Sequence, residues 1–421
     1  MRKSRERSPW NRRYPTFWLT LAALAVTVLT TVVVTQDRQT LLRWSVFLFT
    51  DPQQGSTLFR GKGCVRCHSV NGVGGKVGPD LAGAGGHPSD LAVLVAEMWN
   101  HAPNMWERMR ADHISYPTLT YEETAYLVAY LYMASHMDGP GNAQRGKWLF
   151  TSKGCIRCHA VTNKNGEQRS LWNALGAANT PMAWTKAMWE GAPAMEGAMR
   201  KAGLAWPMLD GSDLNDLFAF VRQSSDHYVT EAQQFPGRPE RGWRVFQAKS
   251  CITCHELEPG SAGSSASLPP EKWLAPTFSQ VGELMWNHAP EMQRAMRNQG
   301  IAYPTLPDEE MTDLIAFVYS LRYFDPPGSP VVGSSVFNWR GCSLCHGEGA
   351  QGTSIAPALR GRGANYNSIS LATALWTHGQ KMYYLTQKSG LDWPTLQKSD
   401  IGNLLAFLNS PIAQPHPQKQ K

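Results

Sequence analysis

The 421-residue sequence has no cysteine outside four closely spaced pairs, few charged side chains, and little net charge once its first thirteen residues are set aside. Each shortage excludes something. Cys64/Cys67, Cys155/Cys158, Cys251/Cys254 and Cys342/Cys345 account for all eight cysteines, so none remains for a disulfide scaffold. The formal charge of +7 sits mostly in residues 1–13 (MRKSRERSPWNRR), which carry six basic side chains and one acidic one. The other 408 residues hold only +2. A phosphate-binding groove needs its charge spread over the folded part, so nucleic acid is not an expected partner. Charged residues make up 17% and hydrophobic residues 42%, too apolar for a disordered chain.

What is present begins with an apolar run. Residues 14–36 contain no charged side chain, and Phe17 to Thr35 would span about 28 Å as a helix. That length suits a bilayer core, and the basic flank before it predicts a cytoplasmic N-terminus with the bulk of the chain exported. The rival is a cleaved signal peptide, but the run is longer than a signal core and ends in VVVTQDRQ, without a small-x-small site. The expectation is a single-pass anchor in a bacterial cytoplasmic membrane, with the lipid bilayer as one partner and the rest periplasmic.

The remainder reads as four copies of one unit. The cysteine pairs begin at 64, 155, 251 and 342, a near-constant period. Before each pair a glycine and a phenylalanine recur four apart: Gly55/Phe59, Gly146/Phe150, Gly242/Phe246 and Gly333/Phe337. Spacing of four puts both on one helix face, and the glycine admits a second helix closely. Each unit ends in an amphipathic pattern with Leu127/Tyr130, Leu217/Phe220, Leu314/Phe317 or Leu404/Phe407 three apart. The first and last helices of each unit are expected to cross at the glycine. The predicted fold is all-α: an N-terminal transmembrane helix followed by four tandem domains. The expected boundaries are 1–50 for the basic tip, anchor and juxtamembrane segment, then 51–138, 139–232, 233–327 and 328–421, the last including a proline- and lysine-rich tail.

Every second cysteine is followed by histidine, so each pair reads Cys-x-x-Cys-His, the signature of covalent c-type haem attachment. Two thiols three residues apart on a helical turn share a face and reach one porphyrin edge, where they form thioethers with the haem vinyl groups. The adjacent imidazole then ligates the iron. The proximal ligands are expected to be His68, His159, His255 and His346, one for each of four haems. A thioredoxin-like redox pair needs a βαβ context, which is missing. A zinc ribbon needs two knuckles close together, whereas these lie 91 to 96 residues apart. With the helix framing, the units resemble class I cytochrome c domains over nearly all of 51–410. That resemblance implies that a proline carbonyl after the motif orients the proximal histidine. Pro79 and Pro357 match, Pro276 fits less well, and the second unit has only RSLWNALG in this region.

The region that should close the iron also repeats. Aligned on a tryptophan (Trp99, Trp189, Trp286, Trp376), one methionine is present in all four units: Met105, Met195, Met292 and Met382, 36 or 37 residues after the proximal histidine. Thioether sulfur is a soft iron ligand. Competing series break in one unit each. Met109, Met199 and Met296 meet Thr386; Met98, Met188 and Met285 meet Leu375; His101, His288 and His378 meet Gly191. Met208 is a local alternative in the second unit. The bland reading is that these methionines are flexible apolar filler. The recurrent tryptophans, and Tyr116, Trp206, Tyr303 and Trp393, are core candidates whose polar tips are also placed to bond haem propionates.

The expected function is a membrane-tethered electron carrier, not an enzyme, passing electrons from a membrane donor to a periplasmic or membrane acceptor. Two alternatives stay open. One is a cytochrome subunit of a larger dehydrogenase, respiratory or photosynthetic complex. Cytochrome subunits of membrane alcohol dehydrogenases are similar but carry three such domains. The other is a peroxidase-like catalytic cytochrome, which needs an open iron position.

Overall fold

The computed structural model describes residues 50–82, 91–160, 169–170, 180–224, 237–255, 277–321, 325, 327–361 and 365–411. The described chain is mostly helical, and its helices fall into four groups of the same plan. The first group holds α1 (Pro52–Gly61), α2 (Leu91–Ala111) and α3 (Tyr121–Ser135), and the second α4 (Ala143–Ser152), α5 (Pro181–Lys201) and α6 (Asp213–Gln223). The third holds α7 (Pro239–Ala248), α8 (Phe278–Asn298) and α9 (Asp308–Ser320). The fourth holds α10 (Pro330–Trp339), the single turn α11 (Ser343–His346), α12 (Ser368–Lys388) and α13 (Lys398–Asn409). Two small ladders lie beside the first two cysteine motifs: antiparallel β1 (Ser69–Val70) with β2 (Val73–Gly74), and parallel β3 (His159–Ala160) with β4 (Arg169–Ser170).

One expectation is corrected here. Among the described residues no helix is long and apolar enough to cross a membrane, so the N-terminal transmembrane helix is not supported. The stretch 17–35 that suggested it lies outside the described residues, as do Pro276 and most of RSLWNALG.

Within each group the first and last helices pack against each other: α1 with α3, α4 with α6, α7 with α9 and α10 with α13. The crossing falls on the expected glycine. A Cβ on Gly55, Gly146, Gly242 or Gly333 would overlap the backbone carbonyl of Tyr126, Asp216, Asp313 or Asn403 respectively. The aromatic one turn on seals the crossing. The ring pairs Phe59–Tyr130, Phe150–Phe220, Phe246–Phe317 and Phe337–Phe407 have centres 5.3 to 5.8 Å apart. Ring spacings of that order add to area burial rather than merely filling space.

The crossing is also latched by charge. The basic residue two before each motif reaches an acid in the first turn of the last helix: Lys62–Glu123 at 2.7 Å, Lys153–Asp213 at 3.0 Å, Lys249–Glu310 at 3.0 Å and Arg340–Asp400 at 2.8 Å. In the first three groups the ammonium also donates to a carbonyl just before that helix, Thr118, Met208 or Thr305. Such half-exposed pairs contribute little energy singly. Their recurrence fixes the angle at which the cysteine turn leaves the first helix.

The long middle helices, each 21 residues, pair between groups and not in chain order. Helix α5 packs on α8, and α2 packs on α12. Groups two and three therefore form one couple, and groups one and four the other. Proline makes the contact possible. Pro103, Pro193 and Pro290 lie inside α2, α5 and α8. A helical proline has no N–H to give the carbonyl four residues back. Those carbonyls belong to Trp99, Trp189 and Trp286, and each accepts from the partner group instead: Trp393 Nε1, Tyr303 Oη and Trp206 Nε1, all at 3.1 Å. The same side chains stack on those tryptophans, with centres 4.8, 4.5 and 4.1 Å apart.

Candidate haem-binding sites

All eight cysteines are unpaired, and each pair sits on one tight turn just after the first helix of its group. The amide of the second cysteine (Cys67, Cys158, Cys254 or Cys345) donates to the carbonyl of the first (Cys64, Cys155, Cys251 or Cys342), at 3.2 to 3.3 Å. This closes the turn and brings both cysteines to one side. A left-handed residue precedes the turn: Gly63, Gly154 and Gly341, and in the third group Ser250, with φ of 62°. The histidine amides of groups one, three and four donate to the first cysteine's carbonyl at 3.0 Å, which carries the imidazole round beside the thiols. In group two His159 opens β3 instead.

The first thiol of each pair faces apolar surroundings. Burial pushes Cys64 and Cys155 up, and Cys251 and Cys342 up to about 11. Such thiols are poor redox nucleophiles, because that role needs the anion.

Seven of the cysteines are partly covered, and Cys158 alone of the eight is exposed. Its partner Cys155 packs against the core of group two. Cys254 has a polar neighbour, Gln299 Nε2, which donates to its sulfur at 3.7 Å.

Among the described residues no three side chains of His, Cys, Asp or Glu gather into an ion site. A zinc site therefore fits badly. Two neighbouring thiols beside an oriented imidazole fit a covalently held macrocycle with an axial ligand.

The orienting carbonyls are where the resemblance implied. His68 Nδ1 donates to the Pro79 carbonyl at 3.0 Å, and His346 Nδ1 to that of Pro357 at 2.9 Å. Spending Nδ1 on a carbonyl fixes the tautomer and leaves Nε2 as the ligating nitrogen. Gly78 lies against the His68 ring, where a Cβ would come within 2.5 to 3.0 Å of three ring atoms. Asp80 folds the loop behind the histidine. It accepts from Ser69 Oγ and from the amides of Asn71, Gly72 and Ala82, and these hydrogen bonds outweigh its desolvation and hold the carboxyl below its usual range.

On the distal side Met105, Met195, Met292 and Met382 are all half-buried on the long helices. Met105 packs against the seam between groups one and four, with Ala102, Trp106 and Leu375. Met195 and Cys155 lie against the same cluster in groups two and three. Met208 is 56% exposed and its carbonyl is held by Lys153, which suits a loop residue rather than a ligand. Among the competing histidines, His288 Nδ1 donates to the Leu284 carbonyl at 2.8 Å, and His378 is exposed. His101 is half-buried, and its ring centre lies 6.0 Å from that of His68. Burial, and then the neighbouring His68, hold it below the usual imidazole range.

The recurrent aromatics are used differently from expectation. Trp99, Trp189 and Trp286 donate their indole N–H to the carbonyls of Pro394, Pro304 and Pro207 in the partner group, at 2.6 to 2.9 Å. Their tips join groups together and are spent before any propionate is reached. The sequence held two unread signals. One is the recurring Trp-x-x-x-Pro, which leaves a carbonyl open. The other is the basic residue two before each cysteine pair.

Residues 52–134 match the family model for cytochrome c. Residues 237–318 match the model described as cytochrome C oxidase, cbb3-type, subunit III. No curated protein and no solved structure matches the chain. The two matched stretches coincide with the helices of groups one and three, and the chain carries a cytochrome c domain at each.

Proposed function

We propose that all four groups are cytochrome c domains and that the chain is a tetrahaem electron-transfer protein. The observation carrying this reading is the repetition of one construction in groups that match a family model and in groups that do not. The cysteine turn, the glycine crossing, the aromatic seal and the basic latch recur at Cys155 and Cys342 as at Cys64 and Cys251. Bound haem supplies one-electron chemistry at iron.

The chain's own residues do the rest. Each cysteine pair holds the macrocycle at its edge against the first helix. His68, His159, His255 and His346 present an imidazole to the iron, with Pro79 and Pro357 fixing the ring in two of the groups. The long helices would offer a second ligand to the iron, from their methionine or histidine side chains. Apolar surroundings would also tune the potential. The proposal includes an extracytoplasmic location and redox proteins as donor and acceptor.

The test is peptide mass spectrometry of the purified full-length chain, with haem counted by the pyridine haemochrome. The expected result is haem on all four motif peptides and four haems per chain. Haem confined to the first and third motifs would overturn the tetrahaem reading.

A further inference from the structure

The first group brings two imidazoles towards each other where an iron's two axial ligands belong. We propose that His101, and not Met105, is the distal ligand of the first haem, whereas the second haem takes Met195, so that the chain holds haems of two ligation classes. This rests on the haem reading above.

The ring centres of His68 and His101 lie 6.0 Å apart with their planes at 73°. Two imidazoles bound through one nitrogen each to a shared metal, at about 2 Å, have centres about 6.3 Å apart. The observed spacing is close to that of an axial pair, and His68 is not free to drift, because Pro79 holds its Nδ1. Met105 lies one turn further along α2, on the same face. It packs in the seam with Trp106 and Leu375, as Met195 packs in the other seam with Ala192 and Trp286.

The second group shows the alternative. Its counterpart of His101 is Gly191, and the space that a side chain would enter there is taken by a methionine. A Cβ built on Gly191 meets one neighbour among the described residues, the methyl carbon of Met195, at 3.0 Å. Met195 thus leans back one turn into the room that the imidazole fills in group one, and it shares a cluster with Cys155. Positions four apart on one helix face are interchangeable sources of a ligand. Deleting the nearer side chain hands the role to the farther one. Thioether ligation raises the potential relative to imidazole, so the first haem is expected to be the lower-potential of the two.

The experiment uses the full-length, haem-loaded ferric protein and the near-infrared methionine-to-iron band, quantified per haem. Met105→Leu is expected to leave the band unchanged, Met195→Leu to remove one haem equivalent, and His101→Met to add one equivalent and raise the potential of one haem. Loss of an equivalent in Met105→Leu, or no gain in His101→Met at full haem occupancy, would overturn the ligand assignment. The haem count on the Cys64/Cys67 peptide separates the two failures. An empty first motif defeats the haem reading itself, whereas a full motif with a methionine signal that depends on Met105 defeats only this inference. Leucine for Met105 conserves volume, so that variant remains informative if the His101 substitution fails to fold.

Discussion

The two couples of long helices are built from the same sequence pattern, yet only one of them is complete. Between groups two and three the stacks and the proline-freed carbonyls are reciprocated. Pro193 frees the Trp189 carbonyl for Tyr303, and Pro290 frees the Trp286 carbonyl for Trp206. Both tryptophans donate across the seam. Between groups one and four only half of this exists. Pro103 frees the Trp99 carbonyl for Trp393, but α12 has Gln380 where the others have proline. The Trp376 carbonyl is four residues back from a residue that keeps its N–H, and Tyr116 bonds Trp106 instead. The indole N–H of Trp376 is buried with no hydrogen-bond partner among the described residues. One residue, by keeping a helical hydrogen bond, removes half of a seam. A second difference points the same way: Glu283 accepts from the Leu214 amide across the two–three seam, where group one has Ala96 and group four has Thr373.

The comparison breaks most sharply at the tryptophans. Trp286→Ala deletes a stacked, nearly buried indole together with its hydrogen bond, and such truncations cost about 3–5 kcal/mol. Trp376→Ala removes an indole that makes no such bond and also relieves an unpaired buried N–H, so its cost should fall clearly below that range. Hydrogen–deuterium exchange of the haem-loaded protein reads both: exchange should rise at 203–215 and 284–298 in the first variant by much more than at 91–111 and 368–388 in the second. Equal losses would show that the two seams are energetically alike.

A smaller effect tests what the couples share. Asn287 bonds both backbone groups of Leu209, at 2.7 and 2.8 Å, and Asn100 does the same to Leu396, at 2.8 and 2.7 Å. Alanine at either position strands a backbone donor and an acceptor in a part-buried place, costing about 1–3 kcal/mol. The two losses should be alike, since each site makes the same two hydrogen bonds at the same distances. A large inequality would mean that the weaker seam is looser at its clamp as well as at its stack.

How far the sequence exposes all this depends on range. The cysteine turns, the glycine crossings and their aromatic seals are read from spacings of three and four residues, and each is found where expected. Their partners lie within one repeat, so periodicity captures them. Spacing says less about cover: it makes Cys155 and Cys158 equivalent, and only the packing of the preceding helix separates a sheltered thiol from an open one. The couples are not legible from spacing at all. Trp99 and Pro394 are 295 residues apart, and nothing local in either stretch names the other. The repeat itself misleads, since four like units suggest neighbours in chain order. The aromatic tips are found bonded between groups, because a periodic pattern shows that a side chain matters without showing what it meets. For the distal ligand, the sequence offers the Met105 series and three rival series on the same helices, and spacing alone does not choose among them.

The subtlest difference between the couples is their response to pH. Glu283 of α8 lies buried against the start of α6, and desolvation pushes its carboxyl up to about 7. The Leu214 amide works against that shift, while Asp213, Asp138 and Asp210 add to it. A carboxyl whose folded pKa lies above its unfolded value binds protons more tightly when folded. Its contribution is therefore fully present below the ordinary glutamate range, near pH 4.5, and is lost as pH rises through about 7. Ala96 and Thr373 do not titrate, so the one–four seam has no counterpart of Glu283, and its raised carboxyls, Glu97 and Asp325, lie elsewhere. Exchange protection at α5 and α8, corrected for intrinsic rate, should accordingly decline from pH 5 to 8 relative to protection at α2 and α12. Glu283→Gln keeps an acceptor for the Leu214 amide and removes the proton, so it should flatten that decline while leaving the one–four couple unmoved. A decline that survives the substitution would place its origin in another group and leave the stacks as the only difference between the couples.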